Sequence, residues 1–477
     1  MHALCLVPPP TPHAAPPFPP PPPSPTTPAA AAPPWDHHAP SGSAGDAATE
    51  DEEAGAGVML SSLHSSSTDT DNNTDQNSNS GCEIAAAAGA RRALAAAPSA
   101  RDMVLACADL LQKGDLAAAR RAAEILFSAV SPRGDSADRL AYHFAHALAL
   151  RADAKAGHVV APVGLPVSAR PGPSGAYLAF NQIAPFLRFA HLTANQAILE
   201  AVDGARRVHI LDLDAAHGVQ WPPLLQAIAD RADPALGPPE VRITGAGADR
   251  DTLVRSGNRL RAFARSIHLP FHFTPLLLSC ATTPQVAGTS TTGAVTTTSG
   301  AVTCLELHPD ETLAVNCVLF LHKLGGQDEL AAFLKWVKAM APAVVTISER
   351  EASGGGFDHI DELPRLVGVA MDHYSAVFEA LEATVPPGNR ERLAVEHEVL
   401  GREIEAAVGP SGGRWWRGLE RWGAAARGAG FLARPLSAFA VSQAQLLLRL
   451  HYPSEGYLVQ EARGACFLGW QTRPLLS

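Results

Sequence analysis

The sequence predicts an α/β protein: a parallel, doubly wound core carrying an α-helical cap, behind a disordered N-terminal tail. Three observations carry that expectation. From Arg206 onward, short apolar runs alternate with helix-length amphipathic stretches, the pattern of strands joined by crossover helices. The first run, "RVHILDLD", is nearly continuously apolar, as a strand buried on both faces must be. Upstream, from Ser99, apolar residues recur instead at helical spacing.

Bulk properties narrow the class. The chain has 477 residues, 46% of them hydrophobic, enough for a substantial core. The formal net charge is -10. A protein that binds DNA unaided usually shows a basic footprint, so any DNA contact must come from a local patch or a partner. The seven cysteines are scattered and never form a Cys-x-x-Cys pair, against a disulfide framework and against a structural zinc site. No apolar run approaches the roughly 18 residues of a membrane span, and "MHALCLVPPP" is too short an apolar start for a secretory signal. A soluble intracellular protein without a membrane segment is expected.

Residues 1–97 read as the tail. "VPPPTPHAAPPFPPPPPSPTTP" is polyproline-like, and "SSLHSSSTDTDNNTDQNSNSG" is too poor in large apolar groups to offset its ordering entropy. Nothing before Met59 looks foldable, which makes Met59 an alternative start. Residues 98–205 form the expected cap. Ser99 or Asp102 caps its first helix, Gly114 ends it and Asp115 caps the second. Leu110, Leu111 and Leu116 supply apolar faces in excess of what a short bundle needs, so they are candidates for partner binding.

Residues 206–477 form the expected core with its C-terminal helices and late strands. Pro222 and Pro223 suit the first turn of the helix after the first strand. "EVRITGAG", "FHFTPL", "ETLAVNCVLFLHKL" and "APAVVTISER" supply four more strands, with a low-complexity insertion at 281–303. Two long helices follow, and the end of the chain alternates enough for antiparallel strands at one side of the sheet.

A nucleotide or methyl-donor site would sit at the carboxyl end of the first strand, where open α/β folds place ligands. Asp212, Asp214, His217 and Gly218 are its pocket candidates. Such a turn needs glycines for close backbone approach, and this one offers Gly218 late. "GAGADR" after the second strand is also short of glycine, and its first acid, Asp249, comes several residues on. No cofactor or metal site is therefore expected. His209 reads as a satisfied core histidine. Gln220 and Trp221 read as locking the helix start against the cap. His143 and His146 lack the acids of a metal set. Arg255, Arg259, Arg261 and Arg265 accumulate positive charge on one helix and are DNA-phosphate candidates, with Arg414, Arg417, Arg421 and Arg427 as a second group.

By these residues the chain resembles the GRAS family of plant regulators. "VHILDLDAAHGVQWPPLLQAIADR" is similar to the family's Val-His-Ile-Ile-Asp block, through Val208, His209, Ile210, Leu211, Asp212, Gln220 and Trp221. The helical stretches 101–155 and 247–330 resemble its leucine-rich regions. Pro342, Tyr374, Arg402 and Glu403 match its Pro-Phe-Tyr-Arg-Glu block, with His373 where a phenylalanine is usual. Trp422, Gly423 and Trp470 match its C-terminal block, and the usual terminal Ser-Ala-Trp does not follow.

The resemblance is strongest to the lateral suppressor and monoculm type. It implies a Rossmann-like, methyltransferase-like core and a non-enzymatic nuclear transcriptional regulator. Such a protein promotes axillary meristem initiation, shoot branching and tillering. Implied partners are other transcription factors, DELLA-type repressors of the same family, and a second copy in a homo- or heterodimer, with DNA touched weakly or indirectly. The alternative left open is a methyltransferase-like enzyme or small-ligand sensor using the pocket after strand 208–212.

Overall fold

An apolar tetrapeptide at the start of the chain, β1 (Leu4–Val7), lies inside the main sheet. The computed structural model describes residues 4–8, 76–95, 99–158, 174–215, 218–277, 293–296, 302–324, 327–351, 362–410 and 418–476. Over these, the described parts of Met1–Pro10 and Ser78–Ser477 form one compact unit. The expectation of a featureless 1–97 tail is corrected at two places. Cys5 and Leu6 point to opposite faces of the sheet and both are buried, so a segment before Met59 does fold. Helix α1 (Gln76–Ala95) also buries Ala90 and Leu94. Its alanines give it high helix propensity, and Gly89 faces Ala118.

The cap continues with α2 (Ala100–Gln112), α3 (Leu116–Ala129), α4 (Ser136–Lys155), α5 (Ser174–Ile183) and α6 (Phe186–Ala201). Ser99 and Asp115 accept hydrogen bonds from the backbone amides of Asp102 and Ala118, so these two caps read from the sequence hold, and Asp135 caps the third helix in the same way through the Asp138 amide. Helix α6 is buried nearly all round because it packs on the sheet, on the next helix and on the C-terminal part of the chain.

The core follows in alternation: β2 (Arg207–Asp212), α7 (Trp221–Asp230), β3 (Glu240–Gly247), α8 (Arg250–Ser266) and β4 (Phe271–Leu277). The strands β5 (Gly293–Thr296) and β6 (Val302–Leu305) pair only with each other. Then come β7 (Thr312–Val318), a 3-10 turn at Leu321–Lys323, α9 (Gln327–Ala339) and β8 (Val344–Ser348). The chain steps outward from β2 through β3 to β4, returns to the other side of β2 as β7, and steps outward again to β8; all these neighbours are parallel. That reversal is a doubly wound sheet, with its switch point between β2 and β7.

The C-terminal part contains α10 (Leu363–Thr384), α11 (Arg390–Val395), a π-helical turn at Glu396–Leu400, α12 (Gly401–Val408), α13 (Leu419–Gly428), β9 (Leu432–Arg434) and α14 (Ala438–His451). It closes with β10 (Tyr457–Ala462), β11 (Ala465–Trp470) and β12 (Arg473–Leu476). Two expectations change. The last three strands form their own antiparallel sheet rather than an edge of the main one. The cap is also not confined to 98–205, because α10 and α12 return to it. Arg101 donates to the Gly368 carbonyl at 3.3 Å and pairs with Asp372 at 2.7 Å. Arg151 donates to the Gly409 carbonyl at 2.8 Å, and the Leu363 amide donates to Gln112 Oε1 at 2.9 Å.

Candidate functional site at the carboxyl ends of the strands

In a doubly wound sheet the ligand crevice opens between the carboxyl ends of the two strands at the switch point. In this protein those ends are Asp212 on β2 and Asn316 on β7, which are cross-strand neighbours. They fill the crevice themselves. The Asp212 carboxylate accepts from Trp221 Nε1 at 2.9 Å and from Asn316 Nδ2 at 3.0 Å. Asn316 exchanges two hydrogen bonds of 3.1 Å with the Gln220 side chain and accepts one of 3.0 Å from Thr346 Oγ1 on β8. Gln220 in turn is held by Asn195 of the cap, whose Nδ2 donates to the Gln220 carbonyl at 2.8 Å. Asn195, Asp212, Gln220, Asn316 and Thr346 are all buried. Buried polar groups must be paired, and these pair with one another. Burial pushes the Asp212 carboxyl up to about 6, against the hydrogen bonds from Asn316 and Trp221.

The other pocket candidates are equally occupied. Asp214 pairs with Lys323 at 2.6 Å. Gly218 has φ +62 and faces Leu260 and Ser256 of α8, so its missing side chain serves a turn and helix packing. His217 lies outside the described residues. Asp249 caps α8, accepting from the amides of Asp251 and Thr252. Gly245 admits Phe273 and Ala215, which a Cβ would meet at 2.6 and 2.8 Å; its smallness serves strand packing.

Around this centre the family-motif residues sort by role. Val208, Ile210 and Leu211 are core. His209 bonds Thr244 Oγ1 at 2.8 Å and Arg242 at 3.2 Å beside Glu311. Burial first, then Arg242, lowers its pKa to about 4, so it is a neutral, satisfied histidine. Arg350, at the end of β8, pairs with Glu403, and the Tyr374 hydroxyl hydrogen-bonds the same carboxylate. Burial raises the Tyr177 phenol of α5, and Asp214, Asp212 and Glu403 raise it further. Glu349 accepts from the Leu321 amide at 2.6 Å and bonds His322 at 3.0 Å. The helix α12, which packs with the cap, thus meets the end of β8 through the Arg350–Glu403 pair. Arg402 is exposed, Pro342 and Trp422 are buried, and Gly423 lies against Arg427. The Trp470 ring meets Tyr457 edge-on at 4.9 Å.

Sequence reasoning did not single out Asn195, Asn316, Thr346, Arg350 or the Arg139–Glu396 pair. The available signal was a polar residue inside an otherwise apolar strand: Asn316 in "LAVNCV" and Thr346 in "VVTIS".

The expectation for the cap leucines is corrected. Leu110 and Leu111 are buried in the main core cluster, so they hold the cap together, and the half-buried Leu116 packs against its edge. Leu111→Ala should lower stability by about 2–5 kcal/mol, the range for a fully buried leucine. Urea denaturation reads the change, and an unshifted midpoint would place Leu111 at the surface. On α8, Arg255 is 62% exposed and Arg259 and Arg265 are exposed too, while Arg261 donates to the Phe273 carbonyl at 2.8 Å. Arg414 and Arg417 lie outside the described residues.

Comparison with known proteins agrees with this architecture. The GRAS domain family model matches residues 100–477. The chain therefore belongs to the GRAS domain family, whose members are plant regulators rather than enzymes. It is 83% identical to Protein MONOCULM 1 of Oryza sativa subsp. japonica over 386 residues, covering 80% of this chain and 87% of that one. It is 38% identical to Scarecrow-like protein 18 of Arabidopsis thaliana, covering 79% of this chain and 90% of that one. The crystal structure of SCL7 in Oryza sativa superposes with a TM-score of 0.61 at 33% identity, covering 80% of this chain and 98% of that one.

Proposed function

We propose that this protein is a nuclear transcriptional regulator that promotes axillary meristem initiation, shoot branching and tillering through protein–protein contact. The observation that carries the reading is the self-filled crevice. Asp212, Asn316, Gln220 and Trp221 answer one another's hydrogen bonds where a cofactor would otherwise bind, so the core serves as a platform for partners. The likeness to MONOCULM 1 supports the developmental role. Partners are other transcription factors, DELLA-type proteins of the same family among them, and a homo- or heterodimer is compatible with this mode of action. The test is a fluorescent fusion expressed in a plant lacking its own copy. Nuclear signal with restored tillers is expected; exclusion from the nucleus would overturn the reading. The methyltransferase-like or ligand-sensing alternative is separated by calorimetry of the full chain with adenosyl-methionine, where no heat is expected.

DNA contact, where it occurs, runs through the exposed arginines of α8. Phosphate contacts release counterions, and the slope of log affinity against log salt is about 0.9 per contact. Arg255→Glu with Arg259→Glu should flatten that slope by about two units and weaken all sequences alike. Fluorescence anisotropy across a salt series decides it, and an unchanged slope would remove α8 from the DNA.

A further inference from the structure

The strand β1 sits where an edge would otherwise be. Among the described residues it is the only sheet neighbour of β9, and it separates β9 from β8. Leu4, Cys5 and Leu6 pair antiparallel with Ile347, Thr346 and Val345, while Cys5, Leu6 and Val7 pair with Arg434, Ala433 and Leu432. Without it, β8 would present a row of open donors and acceptors, and β9, whose side chains are all exposed, would have no ladder at all. The seat is also chemically specific. Leu6 is 1% exposed and enters the core cluster that holds Val345, Ile347, Trp422 and Phe431; Cys5 enters the opposite cluster at 4%. One position takes a branched aliphatic and the next a small thiol-sized group. The polarity is set from outside β1 as well. Leu476 bridges Arg350 in antiparallel fashion, so this flank of β8 meets antiparallel backbone from Arg350 down to Val345.

The connection is what makes the seat exchangeable. Residues 8–75 separate β1 from the next described element, and that stretch is proline-rich, then polar, in composition. A tether that long gives the strand a local concentration on the order of 1 mM or less. Its hold on the sheet is therefore of the same kind as that of an added peptide strand, main-chain pairing for affinity and alternate side-chain pockets for specificity. We propose that the groove between β8 and β9 is a strand-acceptor site, held in cis by residues 4–7 and open to an extended partner segment that presents the same small-then-branched pair antiparallel to β8.

The test uses the full chain and a fluorescent peptide of residues 2–9. Leu6→Asp places a carboxylate in the apolar pocket, so β1 leaves and the groove opens. The Leu6→Asp chain should bind the peptide at least tenfold more tightly than the wild-type chain, whose own strand competes. A peptide carrying the same Leu6→Asp change should bind neither. Amide exchange at Val345–Ile347 should speed up in the variant and slow again with peptide. Equal binding by both chains, or none by the variant, overturns the proposal. A second measurement covers a variant that fails to fold. A wild-type chain with a protease site placed within residues 41–48 is cut after folding. Its N-terminal fragment should remain seated and then exchange with labelled peptide. A fragment that falls away at once, or one that never exchanges, also overturns the proposal.

Discussion

Arg139→Met should destabilise the protein by about 3–5 kcal/mol, the cost of stranding one member of a buried ion pair. Arg139 of α4 and Glu396 of the π-helical turn are 1% and 2% exposed. They meet side-on, Nε to Oε2 at 2.8 Å and Nη2 to Oε1 at 3.1 Å, and Arg139 Nη1 also donates to the Gly134 carbonyl at 2.6 Å. Without Arg139, the nearest remaining cation to Glu396 is Arg392 at 3.8 Å. Burial already raises the Glu396 carboxyl, and Arg139 is the main influence holding it down. In the variant the carboxyl rises further and protonates more readily, so the loss should shrink as pH falls toward 4. Arg139→Met with Glu396→Leu should recover much of the stability, because neither buried charge then remains. Urea midpoints at pH 7 and pH 4.5 for the three chains check both statements. A single variant as stable as wild type at pH 7 would show that the pair is solvated. The pair joins sequence positions 257 apart, so its loss should loosen α10–α12 from the first cap helices.

That pair also shows where sequence legibility ends. The strands β2, β3, β7 and β8 were legible because each is a short, mostly apolar run between turn signals, as a central strand buried on both faces must be; the edge strand β4 was legible from its alternation of apolar and exposed residues. The caps at Ser99 and Asp115 were legible because capping is local. Which face of the cap is inside was not. Leu110 and Leu111 read as surplus apolar surface partly because α10, which packs on their helix, lies some 250 residues further on. A charged pair with members 257 positions apart leaves no periodicity to read. The strand β1 was missed for a related reason. "LCLV" is too short and too close to a proline run to declare itself, and its partners, β8 and β9, lie far along the chain. At the crevice, Asp212, Gln220 and Trp221 were visible by position, but their partners Asn195, Asn316 and Thr346 were hidden on other elements. Without the partners, an occupied crevice and a working pocket look alike.

Asp212→Ala separates those two readings by its effect on folding. If the carboxylate served a ligand, its removal would abolish ligand binding and leave stability untouched. In the structure it is the acceptor for Trp221 Nε1 and for one hydrogen of Asn316 Nδ2. Alanine leaves both buried donors without that acceptor, at roughly 1–3 kcal/mol each, so the variant should lose about 2–6 kcal/mol at pH 5. The pH dependence gives a second signature. Asp212 titrates near 3.8 when unfolded and near 6 when folded. Between those values the folded state binds more protons, so the contribution of this group to stability falls as pH rises from about 4 to about 6. The wild-type chain therefore loses, over that window, up to about 3 kcal/mol that the alanine variant does not lose. The deficit of the variant should be largest near pH 4 and narrow toward pH 7. Thermal or urea unfolding at pH 4.5, 5.5 and 7 measures it. A deficit that stays constant, or grows with pH, would mean that the Asp212 carboxyl is not held in the buried network. A variant as stable as wild type throughout would return the crevice to the ligand-binding reading.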